Sequence, residues 1–213
     1  MKIKKDLPIL LIIILPFIYL IYIWNELPDK VPLHWNSQME IDRYGTKYEI
    51  LPIIFSLTLM IYLIFLVIPL IDPKNMLNKM GDKYQKIKFL VTTLTSLLSL
   101  IIIYSIKNES IFNPNFIILL VGAFYLVLGN YFKTIKPNYF IGIRTPWTLE
   151  DKNVWDKTHT LGGEMWFIGG LMVVISSLIL EVKMNLNLFF IISTIIFVVP
   201  IVYSYFTYKN KNI

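Results

Sequence analysis

The residues best equipped for chemistry or recognition fall in two short stretches. The first reads LPDKVPLHWNSQMEIDRYGTK over residues 27–47 and contains His34, Trp35, Asn36, Asp42 and Tyr44. From Asn25 to Glu49 five acids (Glu26, Asp29, Glu40, Asp42, Glu49) stand against Lys30, Arg43 and Lys47, a local charge of −2. An acidic loop of this kind attracts a cationic partner, while His34, Trp35 and Tyr44 supply aromatic surface. Trp and Tyr also populate the interfacial belts of membrane proteins whatever their function. Pro28 and Pro32 hold the backbone extended, so a structured loop is expected here and not a helix.

The second stretch, NYFIGIRTPW over residues 138–147, is a short apolar piece ending in a turn. Gly142 supplies backbone angles closed to other residues. A guanidinium among apolar neighbours, as at Arg144, needs a planar acceptor: a carboxylate, a phosphate or helix-end carbonyls. A lipid-phosphate anchor or a structural clamp meets that need as well as a substrate does. Thr148 and Asp151 have the spacing of a capping box, which predicts a short helix over residues 149–161 lying along the membrane interface. That helix would carry Trp155, Thr158, His159 and Gly162 along one side. His159 and Glu164 are five positions apart, off a common face, and do not form HExxH; a metal would need ligands from elsewhere. The chain has no cysteine, which excludes disulfides, thiolate metal sites and cysteine nucleophiles.

Six apolar runs must position these stretches: Leu7 to Trp24, Ile50 to Ile71, Phe89 to Ile106, Ile111 to Phe132, Met165 to Leu180 and Met184 to Tyr208. A helix of roughly 20 residues crosses a hydrocarbon core about 30 Å thick. The expected fold is therefore an all-α integral membrane protein with six transmembrane helices. With 213 residues, 56% of them hydrophobic, and a mean hydropathy of +0.62, no long polar region is left to fold in water. The first run follows Lys2, Lys4 and Lys5 in the manner of a secretory signal. It leads into Asn25, Glu26, Leu27 and Pro28 without a small-residue cleavage site, so it is expected to remain as the first span.

Charge orients the bundle. Of the 20 Lys and Arg residues, 15 fall in the N-terminus, the second and fourth connections and the C-terminus; the other five are Lys30, Arg43, Lys47, Lys107 and Lys183. By the positive-inside rule both termini are cytoplasmic, residues 25–49 face outside and residues 133–163 face the cytoplasm. The basic excess thus reads as a topology signal facing anionic lipid, with no direct nucleic-acid binding.

None of the six runs contains Asp, Glu, Lys, Arg or His. Ion-coupled transporters usually place an ionisable residue near the midplane, so that class is disfavoured. Pro16, Pro69 and Pro200 predict bends. In the third run Thr92, Thr95, Ser96 and Ser99 form one polar stripe suited to helix packing. Gly122, Gly129, Gly162, Gly163, Gly169 and Gly170 predict close helix approach.

Together the two stretches resemble the SdpI family, membrane immunity proteins of a sporulation-delay toxin system in Gram-positive bacteria. LPDKVPLHWN followed by IDRYGTK is similar to its extracytoplasmic, DUF1648-like motif after the first span. YFIGIRTPWTL followed by VWDKTHTLGG is similar to its second signature, before the last two spans. The resemblance divides the chain into a four-span part, 1–132, and a part holding the signature loop and the last two spans, 133–213, within one membrane bundle. It implies a bacterial cell-membrane protein that protects the cell from a secreted peptide toxin without a cofactor, metal or catalytic residue. It further implies that the toxin-occupied protein captures a cytoplasmic repressor. The toxin-binding candidates carried over are His34, Trp35, Asn36 and Asp42; those of the signature loop, structural or partner-binding, are Gly142, Arg144, Thr145, Pro146, Trp147, Trp155 and His159. Met39 stands where the family pattern tends to have Gly, which predicts a different turn. Two readings compete: an enzyme at the inner interface using Arg144, His159 and Glu164 on lipid or peptide, and a peptide exporter using the polar stripe and the prolines.

Overall fold

The computed structural model describes residues 2–36, 40–110 and 112–211. Among the described residues, six helical segments are long and apolar enough to cross a membrane: Asp6–Glu26, Lys47–Ile71, Asp82–Lys107, Pro114–Phe132, Lys152–Ile179 and Val182–Lys209. The elements in chain order are α1 (Lys2–Ile23), β1 (Lys30–Trp35), β2 (Ile41–Thr46), α2 (Ile50–Phe55), α3 (Ile61–Ile71), α4 (Met76–Lys79), α5 (Asp82–Lys107), α6 (Pro114–Phe132), α7 (Pro146–Glu150), α8 (Lys152–Ile179) and α9 (Val182–Lys209). A π-helical turn, Ser56–Met60, joins α2 to α3.

The fold is mostly helical, and the all-α expectation needs one correction. The first connection is an antiparallel hairpin of β1 and β2. Its strands carry Val31, Ile41, Tyr44 and Thr46, residue types favoured in pleated ribbons. The proposed turn at Met39 lies outside the described residues.

Packing groups the chain into two units, a grouping distinct from the division of the sequence at residue 132. The first unit comprises Met1–Phe65 and Lys88–Pro114. Its core joins Leu20, Ile23 and Leu27 to Val31 of the hairpin, Ile50 and Ile54 of α2, and Ile103 and Ile106 of α5. Ion pairs tie the first span, Asp6–Glu26, to α5 at both ends: Lys88 Nζ lies 2.5 Å from Asp6 Oδ1, and Lys107 Nζ lies 2.6 Å from Glu26 Oε2. The pairing order makes α1 and α5 parallel. Asp6, Lys88 and Tyr62 are all buried, and the Tyr62 hydroxyl donates to Asp6 Oδ2 at 3.2 Å. Thr92, Ser96 and Ser99 of the polar stripe are buried too. Thr92 and Ser99 donate to carbonyls of their own helix, and Ser96 Oγ has no partner.

The second unit comprises Leu66–Ile87 and Asn115–Ile213. Its glycines do what their spacing predicts. A Cβ at Gly129 would lie 2.5 Å from the Phe167 amide, and one at Gly170 would lie 2.4 Å from the Leu126 amide, so α6 and α8 approach backbone to backbone. At one end Asn185 Nδ2 donates to Asn115 Oδ1 (2.9 Å) and Ser177 Oγ (3.2 Å). Ser176 Oγ donates to Asn185 Oδ1 (2.8 Å), and Asn115 Nδ2 to the Leu180 carbonyl (2.9 Å). This cluster closes the junction of α6, α8 and α9.

The buried Asp6–Lys88 pair yields a test. Lys88→Met strands the Asp6 carboxylate without its counter-charge and is expected to cost about 3–5 kcal/mol. Asp6→Leu combined with Lys88→Met removes both charges and should cost markedly less. Unfolding titrations in mixed micelles measure this; equal losses in the single and double variants would contradict it.

Candidate functional site

In the hairpin Val31 and Pro32 are buried, while Lys30, His34, Asp42, Arg43 and Tyr44 are exposed. Its register pairs Val31 with Gly45, Pro32 with Tyr44, His34 with Arg43 and Trp35 with Ile41, with irregularities on both sides of His34. A local bulge re-aims side chains. Here Asp42 has no residue directly opposite and reaches His34 instead, with Nδ1 to Oδ1 at 2.6 Å. A carboxylate can only accept, so Nδ1–H donates and Nε2 is left without a partner among the described residues. Both side chains are exposed, His34 at 61% and Asp42 at 42%, so this polarised imidazole is open to a ligand.

The other two toxin-binding candidates serve the hairpin itself. Trp35 packs partly against the core of the first unit. Asn36 closes the tip: its amide donates to the Glu40 carbonyl and its Oδ1 accepts from the Glu40 amide, each at 2.9 Å. At the base, the Thr46 amide donates to Glu49 Oε1 at 2.8 Å, a capping box leading into the second span. Gly45 leaves room for that, since a Cβ there would lie 2.6 Å from Glu49 Oε1.

The signature loop of the second unit is held by buried polar groups. Asn138 is 1% exposed, and its Oδ1 accepts from the amides of Phe140 (2.8 Å) and Ile141 (2.7 Å). Its Nδ2 donates to the carbonyls of Lys136 and Ile141. Sequence reasoning did not single out Asn138, although Pro137-Asn138 is a turn signal whose side chain can bond its own backbone.

His159 is the centre of this loop. Its Nδ1 lies 2.9 Å from the Trp155 carbonyl, and its Nε2 accepts from the Ile143 amide at 3.0 Å. One nitrogen faces an acceptor and the other a donor, which selects the neutral Nδ1–H tautomer and leaves no lone pair for a substrate proton. The ring stacks on Trp155, centroids 4.0 Å apart, and Trp155 Nε1 donates to the Ile135 carbonyl at 2.8 Å. Gly142 sits over it with φ +111°, where a Cβ would lie 2.4 Å from His159 Nε2.

The helix expectations need two corrections. The capping box is Thr145 with Thr148, opening α7, and Asp151 instead caps α8 by accepting from the Asn153 and Val154 amides. The Lys211 ammonium beside Asp151, with those amides, holds its carboxyl below the usual range. The helix carrying Trp155 and His159 does not end before the fifth span; α8 runs unbroken from Lys152 to Ile179. Gly162 and Gly163 weaken a helix intrinsically, but both are buried by tertiary packing, Gly163 against the Gly129 carbonyl. Trp155, Thr158, His159 and Gly162 all lie buried on one side, as their spacing predicts.

The remaining signature residues divide by exposure. Thr145 is buried, with its Oγ1 3.0 Å from Ser204 Oγ of α9. Trp147 meets Tyr205 edge to face at 5.1 Å. Pro146 and Arg144 are exposed, and Arg144 Nη1 donates to the Tyr139 carbonyl at 2.7 Å. Glu164 is exposed on α8 while His159 is buried, so the structure does not bring that pair together. Among the described residues no group of His, Asp and Glu is arranged to hold a metal.

These two structured connections coincide with two family patterns: the SdpI/YfhL protein family over residues 134–204, and a domain of unknown function, DUF1648, over residues 11–59. Over residues 134–204 the chain is similar to the SdpI/YfhL family. It is 26% identical over 211 residues to the immunity protein SdpI of Bacillus subtilis (strain 168), covering 98% of each chain. No solved structure matches it. The SdpI/YfhL match takes in the signature loop and its contacts from Ile135 to Ser204, and the DUF1648 match takes in α1 from residue 11 onward, the hairpin and α2.

Gly142 gives the sharpest test of the packing of this loop on His159. Gly142→Ala meets both a positive φ and the His159 ring, so a loss of about 1–3 kcal/mol is expected from the backbone alone, with the collision added. Gly81, at φ +56° with nothing within 4 Å of where an added methyl would stand, serves as the comparison. Thermal unfolding should show Gly142→Ala to be the more damaging; a smaller loss than for Gly81→Ala would contradict the packing described.

Proposed function

We propose that this chain is a bacterial cell-membrane immunity protein that binds a secreted, membrane-active peptide toxin through the β1–β2 hairpin and the adjoining span ends. The observation that carries the reading is the exposed His34–Asp42 pair on a hairpin within the acidic connection Asn25 to Glu49, in a chain similar over its whole length to an immunity protein. Both termini are cytoplasmic in this proposal and the hairpin faces outside, where a secreted peptide arrives. Apolar span surfaces supply affinity and the hairpin supplies selectivity.

The occupied nitrogens of His159 weigh against the enzyme reading, because a general base must reach a substrate proton. The absence of ionisable residues from the middle of the spans weighs against ion-coupled export. Capture of a cytoplasmic repressor is a second reading. It is supported by a cleft of about 380 Å³ along α8 and α9, lined by Asp156, Lys157, Thr160, Leu161, Glu164 and Tyr203. A tagged repressor encoded nearby should then gather at the membrane when toxin is added; one that stays in the cytoplasm and on the nucleoid removes this reading.

Expression in a toxin-sensitive strain tests the main proposal. The wild type should restore growth under the cognate toxin, and His34→Ala with Asp42→Ala should lose most of that protection while still inserting. Killing that is unchanged by the inserted wild type would refute immunity, and full protection by the double variant would remove the hairpin from the site.

A further inference from the structure

Two cations converge on Tyr139. Lys74 Nζ lies 4.9 Å from the centre of its ring, and Arg144 Nη1 donates to its carbonyl at 2.7 Å. All three residues are exposed. Among the described residues neither Lys74 nor Arg144 has a carboxylate within ion-pair distance. The acid on the Lys74 turn, Asp72, is buried and directs its two oxygens to the amides of Lys74 and Leu77, at 3.3 and 2.9 Å. It orders the turn and leaves the ammonium unneutralised.

The turn is built on further contacts. Asn75 takes a left-handed φ of 49°, its amide donates to the Asp72 carbonyl, and Asn78 Nδ2 donates to Asn75 Oδ1 at 2.7 Å. On the other side, Asn138 fixes the backbone that leads into Tyr139 and Arg144. Both cations are therefore carried on ordered backbone. Arg144 commits one N–H to Tyr139 and keeps a fork of donors that matches a phosphate.

Their place along the chain identifies the ligand. Lys74 follows the span that ends at Ile71, and Tyr139 and Arg144 follow the one that ends at Phe132, so the pair sits just beyond the hydrocarbon ends of two helices. An exposed tyrosine is an interfacial residue. On the cytoplasmic side, assigned by the basic excess, the leaflet is anionic.

We propose that Lys74 and Arg144, joined by Tyr139, bind the phosphate of an anionic lipid headgroup. This site is independent of toxin binding by the hairpin. It gives a role to an arginine that faces outward beside the buried Asn138, Thr145 and Thr148 of its loop.

The full chain, purified with phosphatidylglycerol and phosphatidylcholine present, provides the test by native mass spectrometry of retained lipid. Phosphatidylglycerol should be retained over phosphatidylcholine, and Lys74→Gln and Arg144→Gln should each weaken retention about fivefold, the effect of one cation near an anionic surface. Lys152→Gln, which removes an exposed cation paired with Asp156, should leave retention unchanged. Lys74 contributes only a surface ring contact, so its variant reads the site even if Arg144→Gln loosens the loop. Equal retention by wild type and Lys74→Gln would overturn the proposal. Displacement of the lipid by inorganic phosphate alone would overturn the lipid assignment and indicate a free-phosphate site.

Discussion

In hydrocarbon an unpaired polar group has no water to turn to, and that constraint shapes both units. In the first, the runs between helix ends are uncharged, and the charges gather at the ends as Asp6–Lys88 and Glu26–Lys107. In the second, the Asn115–Asn185–Ser176–Ser177 cluster closes one junction, and Asn138, His159, Thr145 and Thr148 hold the signature loop. In the first unit the charged ties thus lie at the span termini, while in the second Trp166 Nε1 also donates to the Ile196 carbonyl in mid-span. The middle of α5 departs from this pattern, because Ser96 keeps an unpartnered hydroxyl in a buried stripe.

The signature motif serves structure more than contact. Gly142, Trp155 and His159 form one stack in which each needs the other two: the glycine gives the imidazole room, the imidazole covers the indole, and the indole ties down the Ile135 carbonyl. A neutral imidazole held by two backbone groups is a joint between loop and helix. What the loop offers to a ligand is what remains outside the joint, chiefly Arg144. The hairpin divides in the same way: Trp35 and Asn36 hold it, and His34 with Asp42 faces outward.

Much of this is legible in the residues. Apolar runs of bilayer length announce the spans, paired glycines announce the contact of α6 with α8, and the one-sided spacing of Trp155, Thr158, His159 and Gly162 announces a buried face. Other features depend on partners distant in the chain. Asp6 and Lys88 each lie one residue outside an apolar run and read separately as flanking charges; only folding brings them together. The continuity of α8 through Gly162 and Gly163 depends on α6, which no local propensity encodes. The strands were hidden because Pro28 and Pro32 describe an extended loop equally well, and the register that joins His34 to Asp42 depends on bulges without a residue signature of their own.

Toxin binding by the hairpin requires that it and the signature loop face opposite sides of the membrane. Because the chain lacks cysteine, single substitutions Tyr44→Cys and Lys152→Cys can be probed in intact cells with a membrane-impermeant maleimide. Labelling at position 44 from outside, with position 152 labelled only after permeabilisation, is the predicted result. Labelling of both positions from the same side would contradict the account.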